Sequence, residues 1–321
     1  MTTSGSTSFS VSRNDIVRSA YLKAKAVDAN ATISSIMMAD GVRSLNSMMA
    51  RWRKTGVHIW KLEEITLFPQ AGQRRYNIST ASPDHVALAY SQTTISSSEA
   101  AAQTVLSVSS VVGMTIGDQI GILLDSGSIF WSTISAVGAT TVTIAAPLPS
   151  AASTGAYVWR YTSANACAVD RPVGIGRGQG AVRRHDFTSL IDTPIGPCMA
   201  RADYDALPNK DGPGVFNLAY YDQQLTVGYI SLWQVPATVQ HLCKITAQLP
   251  IEYFVNATNN PDLPAEWIDA LVYNLAVMFA PEYNVPADKF SLLKTEAGQY
   301  LADIATEDRE GESFFMQPDY Q

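Results

Sequence analysis

Between Thr93 and Tyr161 charged residues almost vanish, and Ser, Thr, Ala, Val and Ile dominate. Within this stretch Val105, Leu106 and Val108, then Ile120, Ile122 and Leu124, then Trp131 to Ile134, then Val142 and Ile144, and finally Tyr157, Trp159 and Tyr161 read as five strands. Gly113, Gly117-Asp118, Ser126-Gly127, Gly138 and the run from Pro147 to Gly155 separate them, the punctuation of a small barrel or sandwich. Short β-rich pieces also run from Ile65 to Tyr90 and from Phe216 to Phe254, so the stretch reads as a module inserted into an interrupted sheet.

Helical periodicity occupies the two ends of the chain. Asn14 is the expected N-cap of a first helix whose face is Val17, Ala20, Tyr21, Ala24 and Val27. Thr32 is the expected cap of a second, with Met38, Val42, Leu45, Met49 and Trp52 as its stripe and Gly56 as its stop. Near the other end Trp267, Ile268, Leu271, Val272, Leu275, Ala276, Met278 and Phe279 follow Pro264 in a run that is apolar nearly all round, which demands burial. Pro281 ends that helix. Pro286 opens a last one with Phe290, Leu293, Ala297, Tyr300, Leu301 and Ile304 on one side. Burying six to eight such side chains contributes on the order of 10 kcal/mol before entropy is subtracted. The expected class is therefore α+β: a helical body from N-terminal and C-terminal helix pairs, with an interrupted antiparallel β region carrying a small β-barrel or sandwich. The expected boundaries are 1–64 for the first helical half, 65–92 and 162–260 for the β region, 93–161 for the insert and 261–305 for the second helical half. Residues 306–321 lack periodicity but hold Phe314, Phe315, Met316 and Tyr320 among acids, the pattern of an arm that orders on a partner.

At 321 residues the chain can bury a core without covalent staples. Its formal charge of −7 argues against simple adhesion to nucleic acid or an anionic membrane. The charge is polarised: nine basic residues stand against three acids from Met1 to Lys61, and six acids against Arg309 from Asp303 to Gln321. Such polarity suits docking between neighbours. Cys167, Cys198 and Cys243 are odd in number and widely spaced, which disfavours disulfides and zinc and suits a reducing cytosol. No run reaches the ~18 apolar residues of a membrane helix, so no membrane contact is expected. Asn30-Ala-Thr32, Asn77-Ile-Ser79 and Asn256-Ala-Thr258 match the glycosylation triplet by chance.

Two stretches resemble the tail accessory (adaptor) proteins of short-tailed bacteriophages: Leu45-Asn-Ser-Met-Met-Ala-Arg-Trp52 followed by Gly56, and the segment from Pro264 to Tyr283. The pieces Ala202 to Lys210, Tyr220 to Gln224 and Ile230 to Pro236 are similar to longer members with a β part between the helix pairs. The resemblance implies a head-to-tail connector of the virion neck, assembled in the host cytoplasm as a homo-oligomeric ring, a dodecamer, beneath the portal protein. It implies that the ring extends the channel through which packaged DNA passes without sequence-specific binding. It further implies that the C-terminal arm, with Phe314, Phe315, Met316 and Tyr320, docks on the portal, and that nozzle and fibre proteins attach below. The insert departs from the shortest relatives, and decoration of the outer wall or contact to fibre or nozzle is its expected role.

Residues that carry chemistry are sparse, and neither a catalytic residue nor a metal site nor a cofactor is expected. Gly174-Ile-Gly-Arg-Gly-Gln-Gly180 lacks the Gly-Lys-Ser/Thr of a phosphate loop. With Arg171, Arg177, Arg183 and Arg184 it reads as a flexible basic loop, facing either the DNA channel or acids of a neighbouring subunit. His58, His85, His185 and His241 are scattered, and His185-Asp186 are adjacent residues that seldom face one another. Two other functions compete. A receptor- or glycan-binding fibre component would use Trp131 and Trp159 of the insert, although strand alternation places both in the core. A peptidoglycan hydrolase would use carboxylates such as Glu63-Glu64, Glu266 and Glu282, of which Glu266 and Glu282 sit at the ends of a helix where capping is the expected role.

Overall fold

The computed structural model describes residues 9–52, 61–79, 84–167, 171–176, 180–196 and 198–307. The chain is mixed α and β, rich in strands, and its sheets are mostly antiparallel. It divides into two units, one of residues 1–60 and 251–321 and the other of residues 61–250.

The first unit holds α1 (Arg13–Lys23) and α2 (Ser35–Trp52) from one end of the chain. From the other end come helices that follow a short α3 (Arg201–Ala206) of the second unit, namely α4 (Trp267–Phe279) and α5 (Ala287–Glu307). Both N-caps are serines two residues from the expected ones, before Asn14 in the first helix and after Thr32 in the second. Ser12 Oγ accepts from the Asp15 amide at 3.3 Å, and Ser34 Oγ accepts from Met37 at 3.2 Å, so Ser12 and Ser34 replace Asn14 and Thr32 as caps. Asn14 instead lies inside the helix, where its side-chain oxygen accepts from Arg13.

Ile16, Val17, Ala20, Tyr21, Leu45, Met49, Leu271, Leu275, Phe279 and Leu293 join one core drawn from all four helices. The Tyr21 and Phe279 rings stack 4.2 Å apart, and Trp52 meets Trp267 edge-on. Gly41 lets α2 lie against α1, because a Cβ there would stand 2.5 Å from Val17. Asn46 on α2 bonds both backbone groups of Phe254, each at 3.0 Å.

The second unit has three sheets and a short parallel pair. A base sheet contains β1 (Leu62–Leu67), β3 (Val86–Ala87), β10 (Gly174–Ile175), β11 (Val182–Asp186), β12 (Ile191–Pro194) and β17 (His241–Gln248), with β2 (Arg75–Asn77) lying between β1 and β3 in sequence. Its order is β12-β11-β17-β1-β3, and β10 also pairs with β17. The barrel-like insert contains β4 (Ser91–Thr94), β5 (Val105–Ser107), β6 (Gln119–Leu123), β7 (Ile129–Val137), β8 (Thr141–Ile144) and β9 (Tyr157–Tyr161) in the order β4-β9-β6-β7-β8-β5. Beyond these lie β13 (Pro213–Gly214) paired in parallel with β16 (Val235–Pro236), and a sheet of β2 with β14 (Leu218–Gln223) and β15 (Gly228–Trp233).

The five expected strands of the insert correspond to β5 to β9. The sixth, β4, begins before the expected boundary, at Ser91. Its polar Ser-Gln-Thr-Thr sequence carries no β signal of its own, and pairing with β9 makes it a strand. The sheet curls until its edge strands meet at an Ile95–Val108 bridge, flanked by Ser96 N–H to Ser107 O at 2.9 Å and Ser109 N–H to Thr94 O at 2.8 Å. Ile95, Leu106, Ile120, Ile122, Val142, Ile144 and Val158 fill its interior. The base sheet shares a separate core with the β2-β14-β15 sheet, made of Ile65, Leu67, Val182, Ile230, Leu232, Cys243 and Ile245.

Candidate functional site

Period-two alternation gives the base sheet one apolar and one charged face. On β17, Cys243, Ile245 and Ala247 enter the core while Lys244 and Thr246 face the other way. The register sets Arg183 opposite Lys244, His185 opposite Asp192, and Glu64 opposite Thr246. Across the four strands the charges therefore run Asp192, Arg183, Lys244, Glu64, and the bonds cross. Arg183 skips β17 to reach Glu64, and Lys244 skips β11 to reach Asp192 at 3.2 Å. His185, nearly buried, meets Asp192 through Nδ1 at 2.5 Å. Partial burial pushes the Asp192 carboxyl up, but hydrogen bonds from His185 and Lys244 and the Lys244 charge outweigh it and hold the group below its ordinary value.

This arrangement corrects the reading of Arg183 and Arg184 as members of a flexible loop. Both lie in β11, because the apolar Val182 and the buried His185 frame a strand that pairs on both edges. Arg183 is spent on Glu64, Asp192 and the Gly180 carbonyl, so among the described residues the two cations of this face, Arg183 and Lys244, are matched by two carboxylates. Arg184 lies in the same strand but donates to the Phe216 carbonyl at 3.3 Å. Gly174 and Ile175, read as loop, pair with Gln248 and Ala247 as β10. Arg171 is half-buried, and the segment after it is tethered to β14 by Tyr221 Oη donating to Pro172 O and Gln223 Nε2 donating to Val173 O. Arg177 and the arm residues Phe314, Phe315, Met316 and Tyr320 lie outside the described residues, as does His58.

Beside Arg184 a cavity of about 180 Å³ is lined by Phe216, Pro236, Thr238, Gln240 and His241. That volume is well below the ~300 Å³ at which ligand clefts usually begin. Burial and the Arg184 charge lower the pKa of His241, leaving it a neutral imidazole at pH 7. Burial raises the thiols, Cys198 to about 12 and Cys243 further, so both stay protonated and are poor nucleophiles. Cys198 and Cys243 are free thiols. Among the described residues no group of three or more His, Cys, Asp or Glu side chains is placed to hold a metal, and no helix is long and apolar enough to cross a membrane.

Of the residues offered for the competing functions, Trp131, Trp159 and Glu64 are used structurally, whereas Glu266 stands at the start of α4 without the expected side-chain capping bond. Trp159 is fully buried, its indole N–H donating to Gln92 Oε1 at 2.9 Å. Trp131 is stacked on His85 with ring centroids 3.9 Å apart. Trp159 therefore has no open face for a sugar ring, and one face of the half-buried Trp131 is taken by His85. Glu266 and Glu282 flank α4, which at 13 residues is about 20 Å long, whereas a glycosidase pair stands roughly 5–10 Å apart. Glu64 is held in the ion-pair lattice.

The cluster of Glu64, Asp192 and Lys244 around Arg183 was not singled out from sequence. Alternation along β17 marks Lys244 as facing away from the core, but the acids it meets are set by register between distant strands. The chain matches no family model and no curated protein.

Proposed function

We propose that this chain is a structural head-to-tail connector of a short-tailed phage, a non-catalytic subunit whose helical body packs in a ring beneath the portal. The observation that supports the reading is the shared core of α1, α2, α4 and α5, which joins the two ends of the chain, with the β unit lying between them in sequence. That is the arrangement the adaptor resemblance implies. The internally paired charges of the base sheet suit a channel wall or subunit contact that does not grip DNA. In this reading the acidic C-terminal arm engages clefts of the portal, and the barrel-like insert faces a fibre or nozzle component.

Mixing the purified chain with portal rings from the same particle tests it. Negative-stain images are expected to show a second ring of density, a dodecamer, on one end of each portal. Truncation after Thr306 is expected to leave the folded subunit unable to bind. Failure of the full chain to bind portal rings would remove the connector reading, and equal binding by the truncated chain would remove the arm from it.

A further inference from the structure

Base and insert have separate cores, and what joins them is a seam of aromatic rings. Phe68, Phe187 and Leu242 from the base meet Ile129, Trp159 and Tyr161 from the insert, with Trp131 and Tyr157 packed alongside. The Phe68 ring contacts Trp131 edge-on at 5.0 Å and stacks on Tyr161 at 6.2 Å. Gln70 on the base, its amide turned to suit both partners, donates to Ile129 O at 3.0 Å and accepts from the Trp131 indole N–H at 3.2 Å. The Val239 amide donates to Gly127 O at 2.8 Å.

One imidazole sits in this seam. His85 precedes β3 on the base, lies flat on Trp131 with an interplanar angle of 12°, and meets the Tyr161 hydroxyl through Nδ1 at 2.6 Å. Both contacts belong to the insert. We infer that His85 is an acid-released latch: when it takes up a proton, the insert lets go of the base while the core of each remains folded. The seam suits a neutral ring, since the rings against it are the Trp131 indole and the Tyr161 phenol. The Tyr161 phenol is itself raised by burial and stays uncharged. The neighbouring carboxylate, Asp84, accepts from the Asn77 amide at 2.7 Å and from Gln73 Nε2 at 2.5 Å.

The energetics follow from linkage. Burial lowers the His85 pKa from 6.5 to about 4, so between these values the opened form binds a proton that the closed form refuses. Closure is fully favoured above pH 6.5 and weakens as pH falls towards 4. The opening equilibrium rises about tenfold per pH unit, or roughly 300-fold across the window. The cores of insert and base contain none of the seam residues, so opening does not require either to unfold.

Hydrogen exchange of the Trp131 and Trp159 indole N–H groups in the full chain, corrected for the intrinsic rate at each pH, reads this opening. Protection is expected to fall about tenfold per pH unit below ~6.5 while backbone amides of β8 and β17 keep theirs. His85→Gln and His85→Phe, two variants of different size, are expected to flatten the dependence. A flat profile in the unmodified chain would overturn the latch. So would an unchanged slope in either folded variant, or loss of β8 and β17 protection in step with the indoles.

Discussion

Asp118→Ala is expected to destabilise the second unit by about 3–5 kcal/mol, lowering its thermal midpoint by roughly 10 °C. Asp118 is almost fully buried, and Arg160 Nη1 donates to its Oδ2 at 2.9 Å. The same carboxylate accepts from the Thr115 amide at 2.9 Å and the Thr115 hydroxyl at 2.8 Å. It therefore anchors the turn before β6 to β9 across the barrel. Arg160 Nε is already buried without a partner, and removing Asp118 leaves the guanidinium with its charge unmatched as well. The guanidinium also occupies the space beside Gly113, where a Cβ would stand 2.5 Å from Nη2, so the loop is built on it. Adding Arg160→Met to Asp118→Ala is expected to restore at least half of the loss, because an apolar side chain leaves no orphaned charge. Scanning calorimetry of both variants checks this. A double variant no better than the single one would show that the carboxylate acts through the Thr115 turn and not through the ion pair.

Leu271→Ala is expected to cost about 2–5 kcal/mol in the first unit. Leu271 is fully buried in the middle of α4, which packs against α1, α2 and α5. Collapse around the lost methyls is restricted by stacked rings, among them Tyr21 on Phe279 at 4.2 Å, and by Gly41, whose close approach to Val17 already brings α1 and α2 together. A cavity left there stays open and adds to the lost transfer energy. Leu292→Ala on the exposed side of α5 is the control, with an expected change within about 0.5 kcal/mol. Urea unfolding followed by helix circular dichroism measures both, and equal midpoints for Leu271→Ala and Leu292→Ala would refute the burial argument.

What could be read from sequence follows from the range over which each signal acts. Helices α2 and α4 were legible because Leu45, Met49 and Trp52, and Leu271, Leu275 and Phe279, repeat at helical spacing within one segment. Each cap lies two residues from the expected one because Ser12 and Asn14, like Thr32 and Ser34, offer the backbone similar side-chain oxygens, and geometry alone selects between them. Strands β5 to β9 showed through β-branched residues and glycine punctuation. Strand β4 did not, since its hydrogen bonds to β9 come from 60 or more residues away.

The candidate site was less legible still. Arg183 and Arg184 were recognisable as a basic pair, but what they bond depends on the registry of β11 with β12 and β17. His185 finds Asp192 across a hairpin instead of Asp186 beside it, since neighbours in a strand point to opposite faces. The seam around His85 was invisible for the same reason. Its members, Phe68, His85, Trp131 and Tyr161, are scattered over more than 90 residues, and single aromatics in separate strands look like ordinary core.

The Ile95–Val108 bridge has a consequence for solubility. A segment rich in Val, Ile and Thr and nearly free of charge is the kind that stacks into fibrils when its strand margins are bare. Here the outermost strands saturate each other along that stretch, so few backbone donors there are left to recruit a stray strand. The insert can thus dispense with the lysines and prolines that usually guard such margins, and crowding many copies together need not invite their sheets to merge.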